Sequence, residues 1–330
     1  MKIAFFSTAD YDRQWFESGK SHHTITFIEQ PLTAQTAQLA AGHQAVCAFV
    51  HDDLGGSVLR LLKELGVGVI AMRCVGLDNV DQETASELEL AVLTVPAYSP
   101  YPVAEQAAAL LLALNRHLPA ANQRVLAGDF TLNGLIGQDI HGKTVGIIGT
   151  GRIGRAFARI MLGFGCRILA YDLKPNLALV KAGVRFVRLN TLLEESDIVS
   201  LHCPLTPHTE FLINNQTLQS MKPTALLINT GRGKLVDTSA VLDALDQGQL
   251  AGYAADVYTR ESAWFHRDFT DQPITDEVLN RLRFHPRVLL TAHQGFLTQE
   301  ALQQIAATLL NQLSFYENSQ LRHITRSSMC

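Results

Sequence analysis

KTVGIIGTGRIGRAFARIMLGFGCRILAYD, residues 143–172, holds an apolar run at Thr144–Ile148, a glycine cluster, a helix-period segment from Arg152 and a second apolar run at Arg167–Tyr171. Strand, turn, helix and strand in that succession make one βαβ unit of a parallel sheet. Gly149, Gly151 and Gly154 spell GxGxxG between the first strand and the helix. Out of context such a pattern is often only a turn that needs glycine. Here the first glycine permits the tight turn, the second lets backbone approach a pyrophosphate, and the third packs helix on strand. The helix start then offers free N–H groups to the phosphates. Asp172 lies 18 residues beyond Gly154, near the spacing of a carboxylate that binds the adenosine ribose hydroxyls and repels a 2′-phosphate. NAD is therefore expected rather than NADP.

Further apolar runs continue the series at Ile198–His202, Ala225–Asn229, Ala251–Val257 and Val288–Thr291, with a helix at Asp237–Leu245. The first hundred residues show a separate series, with strands at Lys2–Phe6, Thr24–Ile28, Ala45–Val50, Val67–Arg73 and Ala91–Val95 and helices at Ser57–Leu65 and Asp81–Leu88. Between the series, the proline-studded run Pro96–Pro102 reads as an irregular hinge, and Val103–His117 as a long helix buried on most sides. From Thr298 the pattern gives one amphipathic helix, free to cross back to the first lobe, and a polar tail. The expected fold class is α/β: two parallel-sheet domains, Rossmann-like or flavodoxin-like, with a cleft between them. Residues 1–99 and 296–330 make a discontinuous substrate domain and residues 100–295 the dinucleotide domain.

Composition excludes several alternatives. The 330 residues are 47% hydrophobic and 18% charged, with net charge −4, so the chain folds and carries no basic face for nucleic acid. The longest strictly apolar run, Ala107–Leu114, is far short of the roughly 20 residues of a membrane span. The start lacks the longer apolar region of a secretory signal, which points to the cytoplasm. Five widely spaced cysteines without a CxxC pair read as reduced thiols, and no structural metal is expected from them.

Loops following predicted strands hold the candidate chemistry: His202-Cys203-Pro204-Leu205-Thr206, Asn229-Thr230-Gly231-Arg232-Gly233 and Asp256-Val257-Tyr258. In an open parallel sheet these strand ends line the ligand crevice. Hydride transfer to a 2-oxo acid needs a cation for the carboxylate and carbonyl oxygen, a proton donor, and a group that tunes the donor. Arg232, with glycines beside it to turn the backbone sharply, offers a bidentate fork. His293, after the last strand, can exchange a proton near neutral pH. Glu261, five residues past Asp256, can hold its other ring nitrogen and favour the imidazolium. Singly, each has a bland alternative: a surface histidine, a solvated arginine, or a surface ion pair of Glu261 with Arg260 worth about 0–1 kcal/mol.

Together these segments carry a likeness. The chain resembles the NAD-dependent D-2-hydroxyacid dehydrogenases, most closely the bacterial fermentative D-lactate dehydrogenases. The likeness runs through Met72–Asp81, Val95–Arg116, Gly142–Gly154, Ser200–Thr209, Ile228–Asp237, Ala255–Tyr258 and Thr291–Thr298. It implies that Arg232, Glu261 and His293 are catalytic, that Val75 and Gly76 N–H groups bind the substrate carboxylate, and that Tyr98 touches the substrate. Cofactor contacts would include Gly149, Gly151, Arg152, Ile153, Gly154, Asp172, Cys203, Pro204, Thr209, Thr230, Gly231 and Asp256. Phe49, Tyr98, Tyr258 and Phe296 are candidate pocket walls, and several bulky walls suggest a small substrate such as pyruvate. The likeness further implies a D product, NADH as reductant, and a homodimer or homotetramer built through the NAD lobes. Many members of that family carry an acid directly after DVY, where Thr259 stands here. The alternatives are a bulkier or phosphorylated 2-hydroxy acid as substrate, or an NAD-sensing scaffold without catalysis.

Overall fold

A computed structural model describes residues 1–19, 21–95 and 98–327, with side chains through residue 320. Pro96 and Ala97 of the proline-studded run, and Cys330, lie outside the described residues. The chain divides into two compact units, Met1–Ser99 with Leu297–Cys330, and Pro100–Phe296.

The first unit contains β1 (Lys2–Phe5), α1 (Asp10–Ser18), β2 (Thr24–Phe27), β3 (Ala45–Ala48), α2 (Gly56–Glu64), β4 (Val69–Met72), α3 (Gln82–Glu87) and β5 (Ala91–Thr94). Its strands pair parallel in the order β2-β1-β3-β4-β5, the flavodoxin-like order. β3 and β4 are buried at every residue, as strands covered on both faces must be, which explains their unbroken apolar sequence.

The second unit contains α4 (Tyr101–Asn115), α5 (Leu118–Leu126), β6 (Thr144–Ile148), α6 (Arg152–Gly163), β7 (Arg167–Tyr171), α7 (Leu177–Lys181), β8 (Arg185–Phe186) and α8 (Leu189–Glu195). There follow β9 (Ile198–Leu201), α9 (Asn215–Gln219), β10 (Leu226–Asn229), α10 (Thr238–Asp246), β11 (Gly252–Ala255), α11 (Glu277–Phe284) and β12 (Val288–Leu290). The seven strands are parallel in the order β12-β11-β10-β9-β6-β7-β8, the doubly wound dinucleotide-binding arrangement. One face packs α4 and α6 through Ala104, Leu111, Phe157 and Met161 onto Ile147 and Ala254. The opposite face packs α10 through Val241 and Leu245 onto Leu227 and Tyr253. Finally α12 (Gln299–Ser327) lies against α1, β4 and β5 of the first unit. Its buried residues Ala301, Ile305, Leu309 and Leu313 recur at helical spacing.

Two expectations need correction. The proline run is not irregular to its end: α4 begins at Tyr101, with Pro102 in its first turn. Proline costs about 3 kcal/mol inside a helix but almost nothing in the first turn, where its missing N–H has no partner to lose. The strand ends also fall one or two residues early, at Leu201, Ala255 and Leu290. The trailing residues His202, Asp256 and Thr291 instead begin the loops at the sheet edge.

Candidate active site

Because every strand of the second sheet is parallel, the loops after β6, β7, β9, β10, β11 and β12 leave from one edge. The chain runs from β6 outward to β7 and then crosses to β9 on the other side, so a topological switch point opens at β6. The glycine loop sits there. Gly149 has φ +92°, and a Cβ on it would stand 2.5 Å from the Cys203 nitrogen. A Cβ on Gly154 would lie 2.0 Å from the Gly149 carbonyl oxygen, so only glycine lets α6 seat against the turn. Gly151 is different. It caps α6, and a Cβ there would meet no protein atom within 4 Å. Its smallness serves no packing inside the chain, which fits close approach of a phosphate to a helix N-terminus.

At the end of β7, Asp172 Oδ2 accepts from the Thr150 backbone N at 2.6 Å and Oγ1 at 2.7 Å, while Oδ1 accepts from Leu173 N at 2.7 Å. Partial burial opposes ionisation, but these bonds prevail and hold the carboxyl below the usual carboxylate range. An ionised carboxylate offers about four acceptor directions, so capacity remains for ribose hydroxyls.

After β9, His202 Nε2 pairs with Ser200 Oγ at 2.9 Å and its ring packs 5.0 Å from that of Phe157. Burial pushes its pKa down to about 3, so the ring is neutral. Burial likewise raises the Cys203 thiol to about 11, so it stays protonated and contributes through its backbone beneath Gly149. Thr209 Oγ1 donates to Pro204 O at 2.7 Å and accepts from Thr206 N at 2.8 Å, closing the loop on itself. The Thr230 hydroxyl after β10 is buried with no hydrogen-bond partner among the described residues. Such an orphan costs about 1–3 kcal/mol, which a polar ligand atom beside it would relieve. The glycine cradle, the ionised Asp172 and this orphaned hydroxyl all fit a dinucleotide.

Arg232, Glu261 and His293 follow β10, β11 and β12, three neighbouring strands. Asn229 shapes the first loop, its Nδ2 donating to Arg232 O at 3.0 Å and its Oδ1 accepting from Gly231 N at 3.1 Å. Arg232 is extended, at φ −135° and ψ 139°, and half-buried. Neither of the glycines beside it has positive φ. Gly233 is needed because a Cβ would lie 2.1 Å from the Tyr258 carbonyl carbon. Close approach of the Arg232 loop to the Glu261 loop excludes a side chain.

His293 Nδ1 lies 2.6 Å from Glu261 Oε1, and Glu261 Oε2 accepts from Tyr258 N at 2.8 Å. Both side chains are more than four-fifths buried, at 18% and 17% exposure. His293 has φ +51°, a conformation that costs a non-glycine residue roughly 1–3 kcal/mol. Asp256 holds it there. Its Oδ1 accepts from Thr291 Oγ1 at 2.5 Å and Gln294 N at 3.0 Å, its Oδ2 from Gly295 N at 2.7 Å, and its carbonyl from His293 N at 2.6 Å. At 1% exposure its carboxylate is directed into the turn that presents the imidazole.

The residues expected to contact substrate fall in both units. Val75, half-exposed, and Gly76 follow β4, where Cys74 Sγ donates to Gly76 O at 3.1 Å. Below them Arg73, 3% exposed, donates to Phe6 O at 2.9 Å and Ser7 O at 3.0 Å and packs against the rings of Phe5 and Phe49. Tyr98 is half-buried in the first unit and Phe296 half-buried in the second. Tyr258 is not a pocket wall. Its ring lies in the sheet core, 3% exposed, and its hydroxyl donates to Asp276 at 2.9 Å. Phe49, 6% exposed, packs under Arg73 rather than standing open.

Sequence reasoning passed over Thr150, whose identity as the x of GxG carries no signal until Asp172 is seen to rest on it. The role of Asp256 in holding the His293 turn likewise had no signal in the sequence.

Residues 108–295 match the family described as D-isomer specific 2-hydroxyacid dehydrogenase, NAD binding domain. The chain is 44% identical over 322 residues to a D-lactate dehydrogenase of Escherichia coli K12, covering 97% of this chain and 98% of that protein. It is 46% identical over 318 residues to a 2-hydroxyacid dehydrogenase homolog of Zymomonas mobilis, covering 95% and 96%. Among solved structures, the apo-form of the Escherichia coli D-lactate dehydrogenase superposes with TM-score 0.89 at 43% identity, covering 97% and 98% of the two chains. The NAD-complexed D-isomer specific 2-hydroxyacid dehydrogenase of Lactobacillus delbrueckii ssp. bulgaricus gives 0.76 at 33%, covering 96% and 98%.

Proposed function

The chain belongs to the D-isomer specific 2-hydroxyacid dehydrogenases, NAD-dependent oxidoreductases, and from that premise we propose that it reduces pyruvate to D-lactate. The observation that carries the chemistry is the 2.6 Å contact of His293 with Glu261, on loops neighbouring that of Arg232. NADH supplies the hydride to the carbonyl carbon when bound. Arg232 grips the substrate carboxylate and carbonyl oxygen with its planar fork, polarising the carbonyl. Glu261 Oε1 accepts from Nδ1–H of His293, so the transferable proton is carried on Nε2 and passes to the forming alkoxide. Tyr258 N on Glu261 Oε2 keeps the carboxylate from rotating away.

Gly149, Gly151, Arg152, Ile153 and Gly154 hold the pyrophosphate, and Asp172 the adenosine ribose. Cys203, Pro204, Thr209, Thr230 and Gly231 line the nicotinamide side, with Asp256 acting through the 291–295 turn. The first unit is the substrate domain, with Val75 and Gly76 N–H groups on the carboxylate and Tyr98 beside it; Phe296 of the second unit lines the 2-substituent. Relatives named D-lactate dehydrogenases support pyruvate as substrate. The test follows NADH absorbance with pyruvate and phenylpyruvate, and NAD reduction with 3-phosphoglycerate. Pyruvate should have the highest kcat/KM. A higher value for either other acid moves the assignment to that substrate, and no turnover with any small acid favours an NAD-sensing scaffold.

Assembly as a homodimer or homotetramer is part of the same reading. Leu126, Phe130, Leu132 and Ile136 are each more than 70% exposed in the single chain, an apolar arm that needs a cover. Sedimentation of the Phe130→Asp/Leu132→Asp variant should give a monomer; an unchanged oligomer would put the interface elsewhere. No helix of the described residues is long and apolar enough to cross a membrane. The five widely spaced cysteines without a CxxC pair support the cytoplasm as compartment.

A further inference from the structure

In the first unit, the link between α1 and β2 brings His22 and His23 against Glu317 of α12, 295 positions from His22. His22 Nε2 lies 2.6 Å and His23 Nδ1 3.6 Å from Glu317 Oε2. Ligand atoms of all three residues lie within 4.8 Å of one another. The Met1 ammonium donates to Glu317 Oε1 at 2.7 Å and stands 3.3 Å from His23 Nδ1.

The hydrogen bonds set the tautomer of His23. Ser314 Oγ donates its single proton to Leu310 O at 2.9 Å, so toward His23 Nε2, at 3.0 Å, it accepts. Nε2 therefore carries the ring hydrogen, and the Nδ1 lone pair accepts from the Met1 ammonium at 3.3 Å, beside Glu317. The side chain is fully buried. A neutral imidazole with its far N–H given to an oxygen is how metal-bound histidines are supported.

We propose that His22 Nε2, His23 Nδ1 and the Glu317 carboxylate form a site for one divalent ion of the zinc class. Two imidazoles and one carboxylate favour zinc, nickel or copper over magnesium or calcium. In tetrahedral zinc, bonds of about 2.0–2.2 Å set neighbouring donors about 3.3 Å apart. The 2.6 Å contact must open and the 3.6 Å contact close, each by less than about 1 Å. His22, 61% exposed, has room to move. The ion takes the place of the His22–Glu317 hydrogen bond and competes with the Met1 ammonium for the carboxylate and for His23 Nδ1. Water completes the coordination. The ion would pin the α1–β2 link to the helix that arrives from the far end of the chain.

The test titrates chelator-treated full-length protein with Zn²⁺ by calorimetry and with Co²⁺ by visible absorption. One ion per chain should bind at micromolar or lower Kd. His22→Ala and Glu317→Gln should each weaken binding on the order of tenfold or more; His22 is mostly exposed, and circular dichroism checks that both variants fold. Binding no tighter than millimolar, or equal affinity in the variants, overturns the proposal. So does a Co²⁺ spectrum with thiolate charge-transfer bands, which would put the ion on cysteine.

Discussion

His293 Nδ1 and Glu261 Oε1 approach to 2.6 Å, although 32 positions separate them in the chain. The carboxylate is itself held by Tyr258 N, so the imidazole is fixed in both tilt and tautomer. Replacing His293 with alanine should lower kcat by about 10²–10⁴-fold and leave NADH affinity intact, read by cofactor fluorescence. Unchanged kcat would remove His293 from the proton transfer.

Arg232→Lys keeps the charge and loses the fork. With charge-assisted hydrogen bonds worth about 1.5–3 kcal/mol each, kcat/KM for the 2-oxo acid should fall about 10–10²-fold, in both kcat and KM. A change confined to KM means that Arg232 binds substrate and transition state alike.

Asp172→Ala should erode the preference for NAD over NADP, because the anion that repels a 2′-phosphate is gone. Thr150→Val removes one of the two Thr150 donors on Oδ2 while keeping shape, and should erode it less. Full discrimination in the Asp172 variant would assign selectivity to another group.

Gly233→Ala places a carbon 2.1 Å from the Tyr258 carbonyl carbon, backbone against backbone. Overpacking of this kind costs about 1–3 kcal/mol. The variant should unfold at lower denaturant and lose activity together, because the loops it forces apart carry Arg232 and Glu261. Wild-type activity in a destabilised protein would show the two loops to be independent.

His202 makes stability sensitive to acid. Its folded pKa of about 3 lies below the ordinary histidine value of 6.5, so between those limits the unfolded chain binds a proton that the native chain does not. Stability therefore rises with pH across that window, by roughly 1.4 kcal/mol per unit for the single group. His202→Gln should flatten the dependence of unfolding free energy between pH 6.5 and about 4.5. An identical slope would move the acid sensitivity to other groups.

The sheet series and the glycine loop were legible because parallel strands buried on both faces write themselves as unbroken apolar runs, Val145–Ile148 and Ile168–Ala170 among them. Short helices such as α7 and α9, five residues each, give too few turns for a period to emerge. The roles of Asp256 and Gly233 were hidden for a different reason. Each depends on a neighbouring loop, and nothing in TGRG or DVY states that the two backbones nearly touch. His22 and His23 adjoin in sequence, but the carboxylate that gives them meaning sits on the last helix.

Because the loops of Arg232, Glu261 and His293 depart from adjacent parallel strands, the lateral interval between them is a property of the hydrogen-bonded ladder, about 4.8 Å per strand. Crossovers running through α10 and α11 can lengthen or shorten without altering it. A chain built this way tolerates insertions on its far side while the reacting groups keep their gauge, as rails do whatever the length of the ties beyond them.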